Sequence, residues 1–102
     1  MRVEGVRVGS VAPAARDDAG GRFSRGEAVG FVQDEIVAWG EPGPTLSQTA
    51  ESLAPGAEIL TVLAGDGAPI RLEELASHAP DGLELELQDG GQPHYWWLLA
   101  AE

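Results

Sequence analysis

The stretch Leu83–Glu102, LELELQDGGQPHYWWLLAAE, predicts two strands joined by a glycine-rich turn. Leucine and glutamate alternate over Leu83–Leu87, so one face of this strand is apolar and the other is charged. Asp89-Gly90-Gly91 then permits a sharp turn, because glycine tolerates positive φ. The run Tyr95–Ala101 is apolar and of strand length. We therefore expect a buried final strand, which pairs antiparallel with its predecessor if the two are adjacent.

Alternating valines predict another strand near the N-terminus. We place Val6, Val8 and Val11 on one side of this strand, and Pro13 either breaks it or places it at a sheet edge. The next loop, residues 17–26, is rich in glycine and contains two of the six basic residues of the chain. We interpret it as a solvated loop, with an anion or carboxylate contact through its arginines as the alternative.

The middle of the chain predicts a hairpin and a central strand. The runs Glu27–Val32 and Glu35–Trp39 are apolar and β-branched, and the polar pair Gln33-Asp34 between them is typical of a hairpin turn. Gly30, inside the first run, indicates a bulge or a close neighbour. Glu58–Ala64 is almost continuously apolar, which favours a position inside a sheet.

Two helices are predicted. Thr45 begins the first in a capping box with Gln48, and Pro55-Gly56 ends it. The second spans Ile70–Ala79 and stops at Pro80. Their apolar faces are formed by Leu46, Ala50 and Leu53 in the first helix and by Leu72, Leu75, Ala76 and Ala79 in the second.

These elements predict one α+β domain over residues 1–102. Its architecture is a two-layer sandwich, with a mixed sheet of about five or six strands and both helices on one face. The strands on either side of each helix should run parallel, because a helical crossover returns the chain in the same direction. The uncovered face of the sheet, or an edge such as Leu83–Leu87, would then be available to another domain.

Composition narrows the classes of partner. The formal net charge of −11 disfavours nucleic acid and anionic membrane surfaces, and it suits a basic protein partner. The chain has no cysteine, which excludes disulfides and thiolate-bound zinc. No apolar run approaches the roughly 20 residues that span a bilayer. We expect a cytoplasmic protein.

The sequence contains no recognisable catalytic constellation. A serine nucleophile could be combined with His94 only on paper, because no G-x-S-x-G elbow is present. The absence of lysine excludes a P-loop, and no metal-ligand spacing occurs. The residues alone predict a soluble domain that is not an enzyme.

Four stretches carry a family resemblance. They are Ala15-Arg16-Asp17, Gly26–Val37, Glu58–Val62 followed by Gly65, and Asp89-Gly90-Gly91-Gln92-Pro93 followed by Tyr95 and a terminal apolar strand. In this order they resemble the C-terminal part of the bacterial fatty acid kinase A subunit, a dihydroxyacetone-kinase-like family, over about residues 12 to 102. The family usually has Tyr-Pro-Tyr where this chain has Tyr95-Trp96-Trp97.

The resemblance implies that the chain corresponds to the last part of a longer subunit. In that family a helical domain binds Mg-ATP through a carboxylate cluster, a middle domain follows, and neither is present here. The family transfers the γ-phosphate of ATP to a fatty acid held by a separate fatty-acid-binding carrier, a step in lipid metabolism and phospholipid synthesis. The resemblance thus implies a non-catalytic domain that docks the carrier and has no cofactor of its own.

The resemblance also implies where the carrier would bind. The expected contact residues are Gly90, Gly91, Gln92, Pro93 and Tyr95, then Arg16 and Asp17. The Gln92 amide could donate and accept hydrogen bonds, and Tyr95 could serve as a large amphipathic anchor. The alternative for the glycines and the proline is that they only shape the turn.

Two other functions stay open from the sequence. One is a regulatory module that binds a small ligand in a pocket lined by Trp39, Trp96 and Trp97. The other is a structural domain that forms a homodimer through a sheet edge. An ATP-binding domain encoded upstream in the same reading frame would favour docking, and a free-standing gene would favour the ligand-binding module.

Overall fold

The computed structural model describes residues 7–70, 74–75, 77, 82–91 and 95–102. This part of the chain contains six strands and one α-helix. They are β1 (Arg7–Pro13), β2 (Ala28–Val32), β3 (Glu35–Gly40), α1 (Pro42–Leu53), β4 (Ile59–Ala64), β5 (Glu84–Asp89) and β6 (Trp97–Ala101).

The strands form one mixed sheet in the order β3-β2-β1-β6-β4-β5. Only β4 and β5 pair in parallel, and the other neighbours are antiparallel. This confirms the predicted α+β class and the mixed sheet. The parallel relation expected across each crossover also holds, since β3 and β4 point the same way across the sheet, as do β4 and β5.

The last two strands do not pair with each other. Strand β4 lies between β5 and β6, so the conditional antiparallel pair of the C-terminal stretch is not formed. The patterns of the two strands explain their positions. The β6 sequence is apolar on both faces and takes the centre, between β1 and β4, whereas β5 carries glutamate on one face and takes the edge.

Helix α1 begins earlier than the capping-box pattern predicted. Pro42 follows the N-cap residue Glu41, whose side chain makes no capping hydrogen bond. The fixed φ of proline suits the first helical turn, where no N–H is needed. The Thr45 amide already donates a helical bond to the Glu41 carbonyl (3.0 Å), so Thr45 is not the cap. The predicted apolar face is confirmed, and the helix ends before Pro55 as expected.

The second predicted helix is not established. The described part of the chain contains one α-helix rather than two, and most of the range Ile70–Ala79 lies outside the described residues. Of its described positions, Leu75 is buried in the core, and Glu74 and Ser77 are exposed.

The β2–β3 hairpin is confirmed, and Gly30 has both of its predicted roles. Gln33 and Asp34 adopt φ of 51° and 70°, the left-handed conformation of a tight hairpin turn. The strand register shifts between Gly30 and Phe31, which is the bulge. A Cβ at Gly30 would lie 1.9 Å from the Thr49 hydroxyl of α1, so the helix can approach the sheet only because this residue is glycine.

Helix α1 packs on one face of the sheet and leaves part of the other face open. Val11 and Trp97 are fully buried on the helix face, in the core that also contains Leu53 of α1. Val8 belongs to the opposite face and is 54 % exposed. The prediction that Val8 and Val11 share a side is therefore wrong, and Val6 lies outside the described residues. Val8 and Val11 differ by an odd number of residues, and successive side chains in a strand point to opposite faces.

Candidate functional site

The candidate site is the open face of the sheet, opposite α1. We define the open face by six residues from four strands: Val8, Ser10, Phe31, Thr61, Leu63 and Leu98. Two shallow depressions of about 440 and 250 Å³ meet there, and both are lined by Val8, Gly9 and Leu98. The face is mostly apolar because the inner strands β1, β4 and β6 carry apolar side chains on both sides.

Tyr95 borders the larger depression. Its ring is 43 % exposed. The backbone beside it is fixed between two strands, because the Trp96 amide donates to the Val11 carbonyl (2.9 Å) and the Trp96 carbonyl accepts from the Gly65 amide (2.6 Å). The fold therefore holds an exposed aromatic side chain in a defined place next to an apolar surface, which is a common arrangement at protein interfaces.

The two glycines of the C-terminal loop have a clear structural role. The amides of Gly90 and Gly91 both donate to the carbonyl of Ala64, at 2.9 and 3.2 Å, and Gly91 adopts φ of 64°. These bonds hold the loop against the end of β4. Both glycines are exposed, so turn geometry does not exclude contact with a partner. Gln92, Pro93 and His94 lie outside the described residues.

Arg16 and Asp17 lie at the same end of the sheet as this loop. They follow Pro13, where β1 ends, and the pairing of Val11 with Trp97 places the start of β6 beside that end. Both residues are exposed, and one Asp17 carboxylate oxygen accepts a bond from the Arg25 amide (2.8 Å). The topology thus gathers the described members of the predicted contact set at one end of the sheet, although they are far apart in sequence.

The Arg22 side chain is held within its own loop. Its guanidinium forms an ion pair with Asp18 (2.9 Å) and lies over the rings of Phe23 and Trp39, at 5.9 and 5.8 Å from their centroids. Hydrogen bonds from the Arg22 side chain lower the pKa of Asp18 to about 2. The alternative role of Arg22 as an anion contact is therefore not favoured, because its charge is already paired.

Acidic side chains flank the open face on both sides. On β5, Glu84 and Glu86 alternate with leucines that pack on the core, so they share the side of the open face. The Thr61 hydroxyl lies 3.5 Å from a carboxylate oxygen of Glu86. On the other side, Asp34 of the hairpin turn lines the larger depression. We call Asp34, Glu84 and Glu86 the acidic rim.

The three tryptophans do not line a common pocket. Trp97 is fully buried on the helix face, and its ring centroid lies 6.1 Å from that of Trp96. Trp39 is 44 % exposed under Arg22. None of the three lines either depression of the open face. The geometry therefore gives no support to a ligand pocket built from these residues.

The described ranges contain neither a metal-binding cluster nor a membrane-spanning helix. Nowhere in residues 7–70, 74–75, 77, 82–91 and 95–102 do three or more histidine, aspartate or glutamate side chains come together to hold a metal ion. Within those same ranges, no helix has the length and apolar character needed to cross a membrane.

Sequence reasoning did not identify the residues of the open face. Val8, Phe31 and Leu98 are ordinary strand residues in the sequence, and each of them could equally belong to the core. The available signal is the apolar character of the last strand on both sides, together with helices predicted on one face only. Those two features indicate that one apolar side of the sheet stays uncovered.

Comparison with known proteins gives the same family along the whole chain. The model of the C-terminal family of proteins like the fatty acid kinase A subunit matches residues 1–102. An uncharacterized protein of Staphylococcus haemolyticus is 33 % identical over 109 residues, which cover 98 % of this chain and 20 % of that protein. An uncharacterized protein of Staphylococcus aureus is 30 % identical over the same length and coverage. The chain thus spans about a fifth of the length of these relatives.

Proposed function

The chain belongs to the C-terminal family of fatty acid kinase A subunit-like proteins, and from this membership we propose that it is a non-catalytic docking domain. Its partner is a fatty-acid-binding carrier protein in the cytoplasm. The docked carrier presents its fatty acid to an ATP-binding domain elsewhere in the kinase subunit, where the fatty acid is phosphorylated.

The observation that carries this proposal is the extent of the family match. It covers all 102 residues, while the relatives are about five times longer. A domain of this size at the C-terminal part of a kinase subunit has two general uses, catalysis and recognition. The surface described above suits recognition, because it combines an exposed aromatic ring with an uncovered apolar face.

The described residues do not fit Mg-ATP. Magnesium in such sites is held by carboxylates together with the phosphates of the nucleotide. The acidic side chains described here do not form a group that could hold a metal ion. We therefore place ATP binding in another domain of the kinase and derive no chemical step within this one.

Tyr95 is the contact residue for which the geometry gives most support. A tyrosine contributes a large contact area with few rotatable bonds, and this one is exposed on a fixed backbone. Gly90 and Gly91 present an exposed main chain beside it. Gln92, Pro93, Arg16 and Asp17 complete the proposed contact set.

A competition assay tests the proposed function. Acyl phosphate formation is followed with a full-length kinase subunit, its carrier and Mg-ATP, and the purified 102-residue chain is added in increasing amounts. A docking domain without activity should slow the reaction by capturing the carrier, and additional carrier should restore the rate. The Tyr95→Ala variant should inhibit at least several-fold less well, whereas Gln48→Ala, on the exposed side of α1, should inhibit like the wild type.

Two results would contradict the proposal. An unchanged rate at saturating chain would mean that the domain does not bind the carrier. Product formation by the chain and carrier alone, without the full-length subunit, would mean that the domain is itself catalytic.

A further inference from the structure

The open face has the composition of a binding surface. Val8 is more than half exposed at its centre, where both depressions meet. An uncovered apolar sheet face is unusual in a chain whose helix already covers the other side, and such patches mark interaction sites. The face is also built on the three inner strands β1, β4 and β6, so it is held rigidly.

The charges around this face all have one sign. The acidic rim supplies Asp34 on one side and Glu84 and Glu86 on the other. None of the four described arginines lines either depression. Arg7, the one on a strand next to Val8, is directed away, since its guanidinium donates to the carbonyls of Leu53 and Pro55 at the end of α1.

These charges distinguish between partners. A second copy of the chain would bring one acidic rim against another, and each copy has a net charge of −11. An anionic membrane surface would be repelled in the same way. A protein that presents apolar side chains surrounded by arginine or lysine would bury the apolar floor and pair its charges with the rim.

We propose that the open face and its acidic rim are the surface that receives the carrier, and that the carrier contacts it through an apolar patch framed by basic residues. This inference rests on the proposed function and adds the surface and the charge of the partner. The exposed Tyr95 ring borders the same depression, so the loop contact and the open face form one continuous interface.

The test measures carrier affinity and association rate for two variants with matched controls. Val8→Glu places a charge on the apolar floor, and Gln48→Glu adds the same charge on the exposed side of α1. The double variant Glu84→Gln, Glu86→Gln removes charge from the rim, and Glu51→Gln removes it from the helix. Both test positions are exposed or on an edge strand, and circular dichroism with thermal unfolding checks that each variant is folded.

We expect Val8→Glu to weaken carrier binding by about tenfold or more, the usual effect at the centre of an interface. The rim variant should lower the association rate several-fold at low salt, and this difference should shrink at high salt. Both helix variants should bind like the wild type.

Three results would overturn the inference. If the wild-type chain binds the carrier and the folded Val8→Glu and rim variants bind it equally well, the carrier docks elsewhere and only the surface assignment fails. If the wild-type chain does not bind the carrier at all, the proposed function fails together with the surface. If sedimentation shows a dimer that Val8→Glu dissociates, the open face belongs to a second copy.

Discussion

Gly30 and Thr49 determine how closely helix α1 approaches the sheet. An added Cβ at residue 30 would fall 1.9 Å from the Thr49 hydroxyl, so Gly30→Ala must push the helix outward. We expect a loss of about 1–3 kcal/mol in the free energy of unfolding, as for other overpacked cores. Chemical denaturation of the single variants and of Gly30→Ala, Thr49→Ala measures it.

The double variant provides the control for this prediction. Removing the Thr49 hydroxyl leaves its Cβ at 3.2 Å from the new methyl group, a distance that small shifts relieve. Part of the lost stability should therefore return. Additive effects of the two substitutions would show that the close contact does not limit the packing.

Asp18 gives a pH-dependent contribution to stability. The Arg22 side chain holds its pKa at about 2, below the ordinary value of 3.8. The ion pair therefore stabilises the folded chain above pH 3.8, and this contribution is lost as the pH falls from 3.8 towards 2. The stability difference between the wild type and Asp18→Asn, from denaturation at several pH values, should be constant near neutrality and shrink across that interval. A difference that grew as the pH fell would contradict the assignment.

At the scale of the elements, the start of helix α1 is open to a direct test. Thr45 is fully buried, and its hydroxyl has no hydrogen-bond partner among the described residues. Thr45→Val keeps the shape and removes this hydroxyl, so unfolding studies should show an unchanged or slightly higher stability. If Thr45 capped the helix instead, the same substitution would cost about 1 kcal/mol.

The elements differ in how far their sequences determine them. The β2–β3 hairpin was predictable because the Gln33-Asp34 turn and its flanking apolar runs are local signals. The start of α1 was missed because glycine and proline over residues 40–44 read as a loop, whereas Pro42 is compatible with a first helical turn. Strand pairing was harder still, since the position of β4 between β5 and β6 depends on which strands can be apolar on both faces.

At the scale of the whole molecule, the candidate site was predictable only in part. The loop at Gly90 and the Tyr95 anchor are contiguous in sequence, so motif comparison could identify them. The acidic rim could not be found this way, because Asp34 and Glu86 come from opposite sides of a six-stranded sheet. Their common relation to Val8 depends on the strand order, which the sequence pattern did not determine.

The molecule as a whole has the features of a recognition domain. One face of the sheet is closed by α1, the other is open and rimmed by acids, and the family match extends over the full chain. These features agree on a basic protein partner. The carrier of a fatty acid kinase is the partner that family membership suggests.

The most direct test is a calorimetric titration of the purified fatty-acid-binding carrier into the 102-residue chain, at low and at high salt. We predict micromolar binding with one carrier per chain, weaker at high salt because the interface pairs opposite charges. Absence of heat and of binding, with a carrier that is active alongside its full-length kinase subunit, would contradict the central claim that this domain docks the carrier.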